Sequence, residues 1–171
     1  MSAPLHRTPS PAATAPDGAD ILRDTLRRHA AGVTVITFPG PVGFTATSFT
    51  SVSLRPALVS FCIGLEASST PAARLADRFA VHVLGTANAG LARQFARSGV
   101  DRFAGVRWRA QQDGLPVLDD VTGWLSARIT LRQTIGDHLL VVGEVDSGAV
   151  VEEAPALVHH NGSFAAAHPL V

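Results

Sequence analysis

The stretch "GFTATSFTSVSL", residues 43 to 54, holds six Ser or Thr in twelve positions and no charge. Before it stand "VTVITF" (33–38) and the turn cluster "PGPVG" (39–43); after it Arg55-Pro56 breaks the chain and "ALVSFCIG" (57–64) follows. β-Branched and apolar runs separated by Pro/Gly turns predict consecutive strands, with the hydroxyl-rich stretch as the second of three. The third is apolar enough to be buried on both faces. Joints this short cannot hold helical crossovers, so the sheet should be largely antiparallel. The hydroxyls themselves admit two readings. Ser and Thr populate edge strands, but hydroxyls and amides beside an apolar wall also suit the rim of a flat ligand, which Gly43 and Ala46 would let come close.

The same signals extend in both directions. Asp17 or Asp20 can cap a helix running to about Ala30, with Ile21, Leu22 and Leu26 on one face and Gly32 as its stop. In "EASSTPAARLADR" (66–78), Thr70 is the expected N-cap and Pro71 the first helical residue. "FAVHVLG" (79–85) reads as a fourth strand, and 86–99 as a helix with Leu91 and Phe95 four apart. Residues 100–118 are loop-rich. Long strands at 123–132 and 138–150 flank "QTIGD", and one short strand is expected around "LVHHNGSF". Six or seven strands with three inserted helices make a mainly β chain, closed or nearly closed into a barrel.

A chain of 171 residues is one domain in expectation. Residues 1–19, with four prolines, read as a disordered tail, leaving 20–171 as the domain. Only 16% of residues are charged while 46% are hydrophobic, which hints at a subunit interface. All 14 basic residues are Arg, balanced by 14 acids, so no basic stripe suggests nucleic acid. The single cysteine, Cys62, lies in an apolar run and reads as a buried, inert thiol. Neither a membrane-length apolar run nor a secretory signal is present, and the expected location is cytoplasmic.

The usual catalytic kits are missing. There is no GxSxG, GxGxxG or Walker loop, and the neighbouring His159 and His160 would point to opposite faces of a strand, so no metal is expected. The reactive atoms of an enzyme built this way would belong to a cofactor. "SSTP" (68–71) opens a helix whose N-terminus could attract phosphate, or it is simply a good cap.

In order along the chain, "GVTVIT", "GFTATSFTSVSLRPALVSFCI", "SST", "RFAVHVL", "LARQFA", "DRFAGV" and "GDHLLVVGEV" resemble the flavin reductase family, over residues 22 to 165. These are the reductase components of two-component flavin-dependent monooxygenases. The resemblance implies an FMN-binding split β-barrel with Greek-key topology, a homodimer, and flavin near the subunit interface. It also implies that NADH, less readily NADPH, reduces FAD or FMN by hydride transfer, and that free reduced flavin feeds a partner oxygenase. Carried onto this chain, Thr45, Ala46, Thr47 and Ser48 would hold the isoalloxazine and ribityl chain, with Ser51, Val52 and Ser53 continuing the cradle. Ser69 and Thr70 would bind phosphate, helped by Arg102, with Phe103 packed beside it. Gly136, Asp137 and His138 would meet the nicotinamide, and Phe164, where relatives often carry Tyr, would shield that pocket. His138 could instead be a turn residue bonded by Asp137, and His82 reads as structural. A flavin-binding electron carrier of the same fold, or a barrel for an unrelated apolar ligand, are the alternatives.

Overall fold

In the computed structural model, which describes residues 17–111, 113–151 and 153–170, strand β2 (Thr34–Phe38) is buried at all five positions. That burial marks β2 as the layer between two cores. Ile36 and Phe38 face one cluster with Phe61, Phe79 and Val81; Val35 faces another with Val33, Leu84 and Phe95. Each buried Phe contributes roughly 2–3 kcal/mol of hydrophobic stabilisation.

Around β2 a seven-stranded sheet forms. Its other members are β3 (Val42–Ala46), β4 (Thr50–Leu54), β5 (Ala57–Gly64), β6 (Arg78–Val83), β9 (Gly123–Ile135) and β10 (His138–Val150), in the spatial order β3-β2-β6-β9-β10-β5-β4. Every pairing in it is antiparallel. Strand β5 lies beside β10, the last strand of this sheet in chain order, which is the Greek-key arrangement. A small sheet joins β1 (Ala31–Gly32), β11 (Leu157–His160) and β12 (Ser163–Ala166), and a hairpin pairs β7 (Trp108–Ala110) with β8 (Pro116–Leu118).

The hydroxyl-rich stretch is not one strand. It supplies both edges of the seven-stranded sheet, β3 at one side and β4 at the other, joined only by Thr47, Ser48 and Phe49. Three linking residues span at most about 14 Å, so the two edges must approach and the sheet must curl. The Phe44 and Phe61 rings meet across the gap at 5.8 Å. No ladder pairs β3 with β4 among the described residues, so the barrel stays split.

Helix α1 (Gly18–Leu26) starts at the Asp17 cap, ends before the expected Ala30, and leaves Ile21, Leu22 and Leu26 exposed. Most of the expected disordered tail, residues 1–16, lies outside the described residues. Helix α2 (Thr70–Leu75) closes one end of the curl through buried Ala73. Its cap position is Ser69 rather than Thr70, and no side chain caps it, because both hydroxyls bond elsewhere. Helix α3 (Ala89–Ala96), preceded by a single 3-10 turn, covers the other face of β2 with Phe95. The strand count exceeds the expected six or seven because β1, β7, β8 and the second strand of the 157–166 hairpin are very short.

Candidate functional site

Strand register decides which residues share a surface. Side chains alternate along strands, and the buried Val59, Phe61 and Ile63 of β5 face inward. Leu58, Ser60, Cys62 and Gly64 therefore face out. Opposite them on β10 lie Glu144, Val142, Leu140 and His138. Opposite those on β9, Leu131 pairs with Val142, Gln133 with Leu140 and Ile135 with His138. Thr50 of β4 extends the Ser60 row on the other side. The outcome is a partly exposed, mainly apolar sheet face with Thr50 and the buried Ser60 along one border and His138 at one corner. Cys62 is half-buried on this face and not enclosed in the core as expected.

The candidate flavin residues divide sharply along the 43–54 stretch. Thr45 Oγ1 donates to Ala92 O of α3 at 2.7 Å, and Ala46 is buried. Gly43 does admit a flat ring, but the ring is Phe95: a Cβ at 43 would meet its Cε1 at 2.9 Å and Ile36 O at 2.8 Å. Ser48 Oγ donates to Cys62 O and accepts from Cys62 N–H, both at 3.0 Å, fastening the crossing segment to β5. Ser53 Oγ accepts from Arg55 N–H at 3.2 Å. The exposed Thr47 and Ser51 hydroxyls have no hydrogen-bond partner among the described residues, and Val52 bulges between Ser51 and Ser53. Free donors thus concentrate on the β4 side.

The candidate phosphate residues come together as the sequence expects, yet with altered duties. Ser69 and Thr70 are 1% and 2% exposed. Ser69 Oγ donates to Gly43 O at 3.1 Å and Thr70 Oγ1 to Gly64 O at 2.6 Å, so neither hydroxyl is free to donate outward. Arg102 bonds Gly43 O (2.7 Å), Ser69 Oγ (2.8 Å), Ser68 Oγ (3.2 Å) and Arg97 O (2.7 Å). Of a guanidinium's five N–H groups that leaves one on Nη2, next to the exposed Ser68 hydroxyl. Partial burial lowers the Arg102 pKa, but a guanidinium stays charged. The outward-facing groups here are therefore Ser68 and Arg102; Ser68 lay in "SST" but was not singled out. Phe103 turns away and packs edge-on against Phe95 at 5.0 Å and Trp108 at 5.7 Å.

Gly136 and Asp137 form the two-residue turn between β9 and β10, with Gly136 at φ 57°. Leu65 N–H donates to Asp137 O at 2.9 Å, so this turn is tied to the loop leading into α2. His138 Nδ1 and Asp137 Oδ1 are 2.7 Å apart, and that bond holds the exposed Asp137 carboxyl below the usual range. A Cβ on Gly64 would lie 3.9 Å from His138 Nε2, which sets the imidazole over the β5 end. Phe164 does not join this group. It sits in the three-stranded sheet, edge-on to His159 at 6.0 Å and under Arg93 at 5.4 Å. A groove of about 670 Å³ between Val83, Val150, Pro155 and Ala167 contains none of the candidates.

His82 is wholly buried and structural, as expected. Its Nε2 accepts from Leu118 N–H at 3.0 Å, so Nδ1 carries the proton and donates to Val35 O, also at 3.0 Å. Burial pushes its pKa down to about 4. Among the described residues no cluster of His, Cys, Asp or Glu could hold a metal, and no helix is long and apolar enough to cross a membrane.

An antiparallel split barrel with an open, hydroxyl-bordered face is a class of fold, and known proteins share it closely. The structure superposes on the Streptomyces globisporus NADH:FAD oxidoreductase in complex with NAD and FAD fragments with a TM-score of 0.84 at 34% identity, covering 92% of this chain and 98% of that one. A flavin reductase domain protein from Arthrobacter gives the same TM-score at 38% identity, over 88% and 96%. In sequence, the chain is 43% identical over 156 residues to the NADH:FMN oxidoreductase of Rhodococcus erythropolis, spanning 86% of this chain and 81% of the relative. It is 32% identical over 155 residues to the reductase subunit of a flavin-dependent monooxygenase from Mycobacterium tuberculosis, with the same shares. The model of the flavin reductase like domain matches residues 26–168. The chain belongs to the flavin reductase family.

Proposed function

We propose that this chain is an NAD(P)H-dependent flavin reductase that works on the outer face of β4, β5 and β10 and supplies reduced flavin to a partner monooxygenase. The observation that carries the placement is the joint one. Strand register puts an apolar strip at Leu58, Cys62 and Leu140 on one face with His138 at its end; the free hydroxyls at Thr47 and Ser51 lie along the bordering β4 edge, and the Ser68–Arg102 pair is joined to the hairpin turn through short bonds. These residues fit a flavin: an apolar wall for the ring, neutral donors for its polar edge, and one cationic N–H for its phosphate. Bound FMN or FAD supplies the electron-accepting ring that takes hydride from NADH.

The protein's own work is orientation. Thr47 and Ser51 would fix the ring's polar rim, and Ser68 with Arg102 would hold the phosphate. Leu140 and Val142 would keep water from the ring's face. His138, kept in place by Asp137, would meet the nicotinamide. Phe164 is left to pack β12 on α3, and Ser69 and Thr70 to shape the phosphate loop from inside. No residue need act as nucleophile, in keeping with the absent catalytic kits.

The same face favours a homodimer. Leu131 and Ile135 on it are 47% and 54% exposed, and Val52 and Leu54 on the bordering β4 edge are 54% and 87% exposed, an apolar excess that a second copy would cover while supplying the missing wall of the site. A cytoplasmic setting belongs to the same proposal, since NADH and the oxygenase must meet the enzyme there. The test is NADH absorbance with added FMN or FAD. Turnover should rise with free flavin, and His138→Ala should raise the KM for NADH about tenfold with the flavin KM unchanged. A protein that binds flavin but leaves NADH untouched is instead a carrier, and identical NADH kinetics in the variant would remove His138 from the site.

A further inference from the structure

Helix α2 is held at both ends by arginines from elsewhere in the chain. Arg102 grips the loop before it through Ser68 and Ser69. At the opposite end, Arg132 of β9 donates from Nε to Ala73 O at 2.8 Å and from Nη2 to Ala76 O. Those carbonyls lie in the last turn, where the helix has no further N–H of its own to offer them. A cation there also suits the helix dipole. Arg132 pairs with the buried Val141 across the ladder, so its side chain leaves from the inner face, toward the barrel end that α2 covers.

The position of Arg132 within its hairpin gives the contact a further meaning. Four residues on, the hairpin turns through Gly136 and Asp137 into His138. The hairpin therefore carries the nicotinamide-side group, and α2 carries the phosphate-side loop. Two ties connect them: Leu65 N–H to Asp137 O at the near end and Arg132 to Ala73 and Ala76 at the far end. The near tie, together with the Ser69, Thr70 and Arg102 bonds, holds only the N-terminal end of α2. The second fixes its tilt, and with it where Ser68 stands relative to Arg102 and His138.

We propose that Arg132 is a positioning residue: it touches neither flavin nor nicotinamide, but sets the placement of the phosphate loop by anchoring the C-terminal end of α2 to the β9–β10 hairpin. This rests on the site reading above and adds a residue that the reading does not contain. Swivelling of α2 would displace the phosphate contacts and leave the ring contacts on β4 and β5 in place. Loss of Arg132 should therefore harm binding of FMN and spare binding of riboflavin, which lacks the phosphate.

The experiment is fluorescence titration of FMN and of riboflavin against the wild-type protein, Arg132→Met and Arg132→Lys. The wild type should prefer FMN by about tenfold, the scale of a charge-assisted contact. Arg132→Met should reduce that preference about fivefold while riboflavin affinity stays within about twofold, and Arg132→Lys, which keeps one donor, should recover part of it. A purely structural role would lower Tm and leave the ratio unmoved, and an unchanged ratio in Arg132→Met overturns the proposal. If the Met variant does not fold, the Lys variant decides by the same ratio. A wild type that binds riboflavin and FMN equally would overturn the site reading itself, a result distinct from the first.

Discussion

Residues 43–46 and 47–53 have the same chemistry and opposite fates. In the first group α3 lies over the strand, and its one hydroxyl and the carbonyls at its two ends are engaged inside the chain: Thr45 Oγ1 with Ala92 O, Ala46 O with Thr34, Gly43 O with Ser69 and Arg102. In the second group Ser48, Thr50 and Ser53 are bonded within the chain too, but among the described residues the exposed Thr47 and Ser51 hydroxyls have no partner and are left to solvent or to a ligand. The difference teaches that a Ser/Thr count says little about a binding site until one knows which face is covered. A buried hydroxyl must be bonded, because leaving it unpaired costs about 1–3 kcal/mol. An unpaired hydroxyl on an exposed face carries no such penalty and stays available. Substitutions on the covered side should therefore act on stability, and those on the open side on binding.

The covered side should show its largest effect at His82, which sits between β2 and β8 with both ring nitrogens bonded. His82→Leu leaves Val35 O and Leu118 N–H unpaired and should cost about 2–4 kcal/mol at neutral pH. Acid adds a second signature. The folded-state pKa is about 4 against 6.5 unfolded, so between those values only the unfolded chain binds the proton. Stability is complete above pH 6.5 and declines as pH falls toward 4, by roughly 3 kcal/mol from this residue. Urea midpoints measured from pH 7.5 to 4.5 should drop more steeply in the wild type than in His82→Leu; parallel curves would mean that the imidazole is not held neutral. Flavin affinity measured above pH 7 should be alike in both.

Gly43 sharpens the comparison from the same side. Its missing Cβ makes room for Phe95 and lies against Ile36 O, a backbone atom that cannot rotate away. Gly43→Ala should cost about 1–3 kcal/mol, read as a lower Tm, through overpacking between β3 and α3. Were Gly43 a flavin-facing position, the same change would raise the flavin Kd and leave Tm nearly unmoved.

The sequence carried the sheet's antiparallel character because β-branched runs, Pro/Gly turns and short joints are local signals. It did not carry the division of 43–54 between two sheet edges: each half pairs locally, one with β2 and the other with β5, and it is the long-range placement of β6, β9 and β10 between those two pairs that sends the halves to opposite edges. A local trace was nevertheless present. Phe44 and Ala46 keep a period of two that Phe49 breaks, which marks the link at 47–49. The β11–β12 hairpin was read as one short strand, although its signal was there: Asn161-Gly162, with φ 51° and 79°, is the favoured two-residue hairpin turn. β7 and β8 were not, because three-residue runs, one beginning at Pro116, are too short for any period to show. At the site, the closeness of Ser69, Thr70 and Arg102 was foreseen through resemblance, but their inward bonding was not. Hydroxyl direction follows from where Gly43 O and Gly64 O come to lie, and only the folded chain fixes that.

The open side should give the smallest effect on stability and the clearest on function. Thr47→Val and Ser51→Ala each remove a hydroxyl that bonds nothing among the described residues, so Tm should shift by no more than about 0.5 kcal/mol allows. If these hydroxyls meet the polar rim of a flavin, each lost neutral hydrogen bond should raise the flavin KM about three- to tenfold, and kcat should hold because ring orientation rests on the remaining contacts. Because the two positions lie on opposite sides of the β4 entry, their effects should add in the double variant if each meets a different polar atom. Thr45→Val supplies the contrast: the loss of its bond to Ala92 O should lower stability by about 1 kcal/mol with the flavin KM unchanged. A rise in flavin KM for Thr45→Val with none for Thr47→Val would reverse the assignment and move the ring to the α3 side of the barrel.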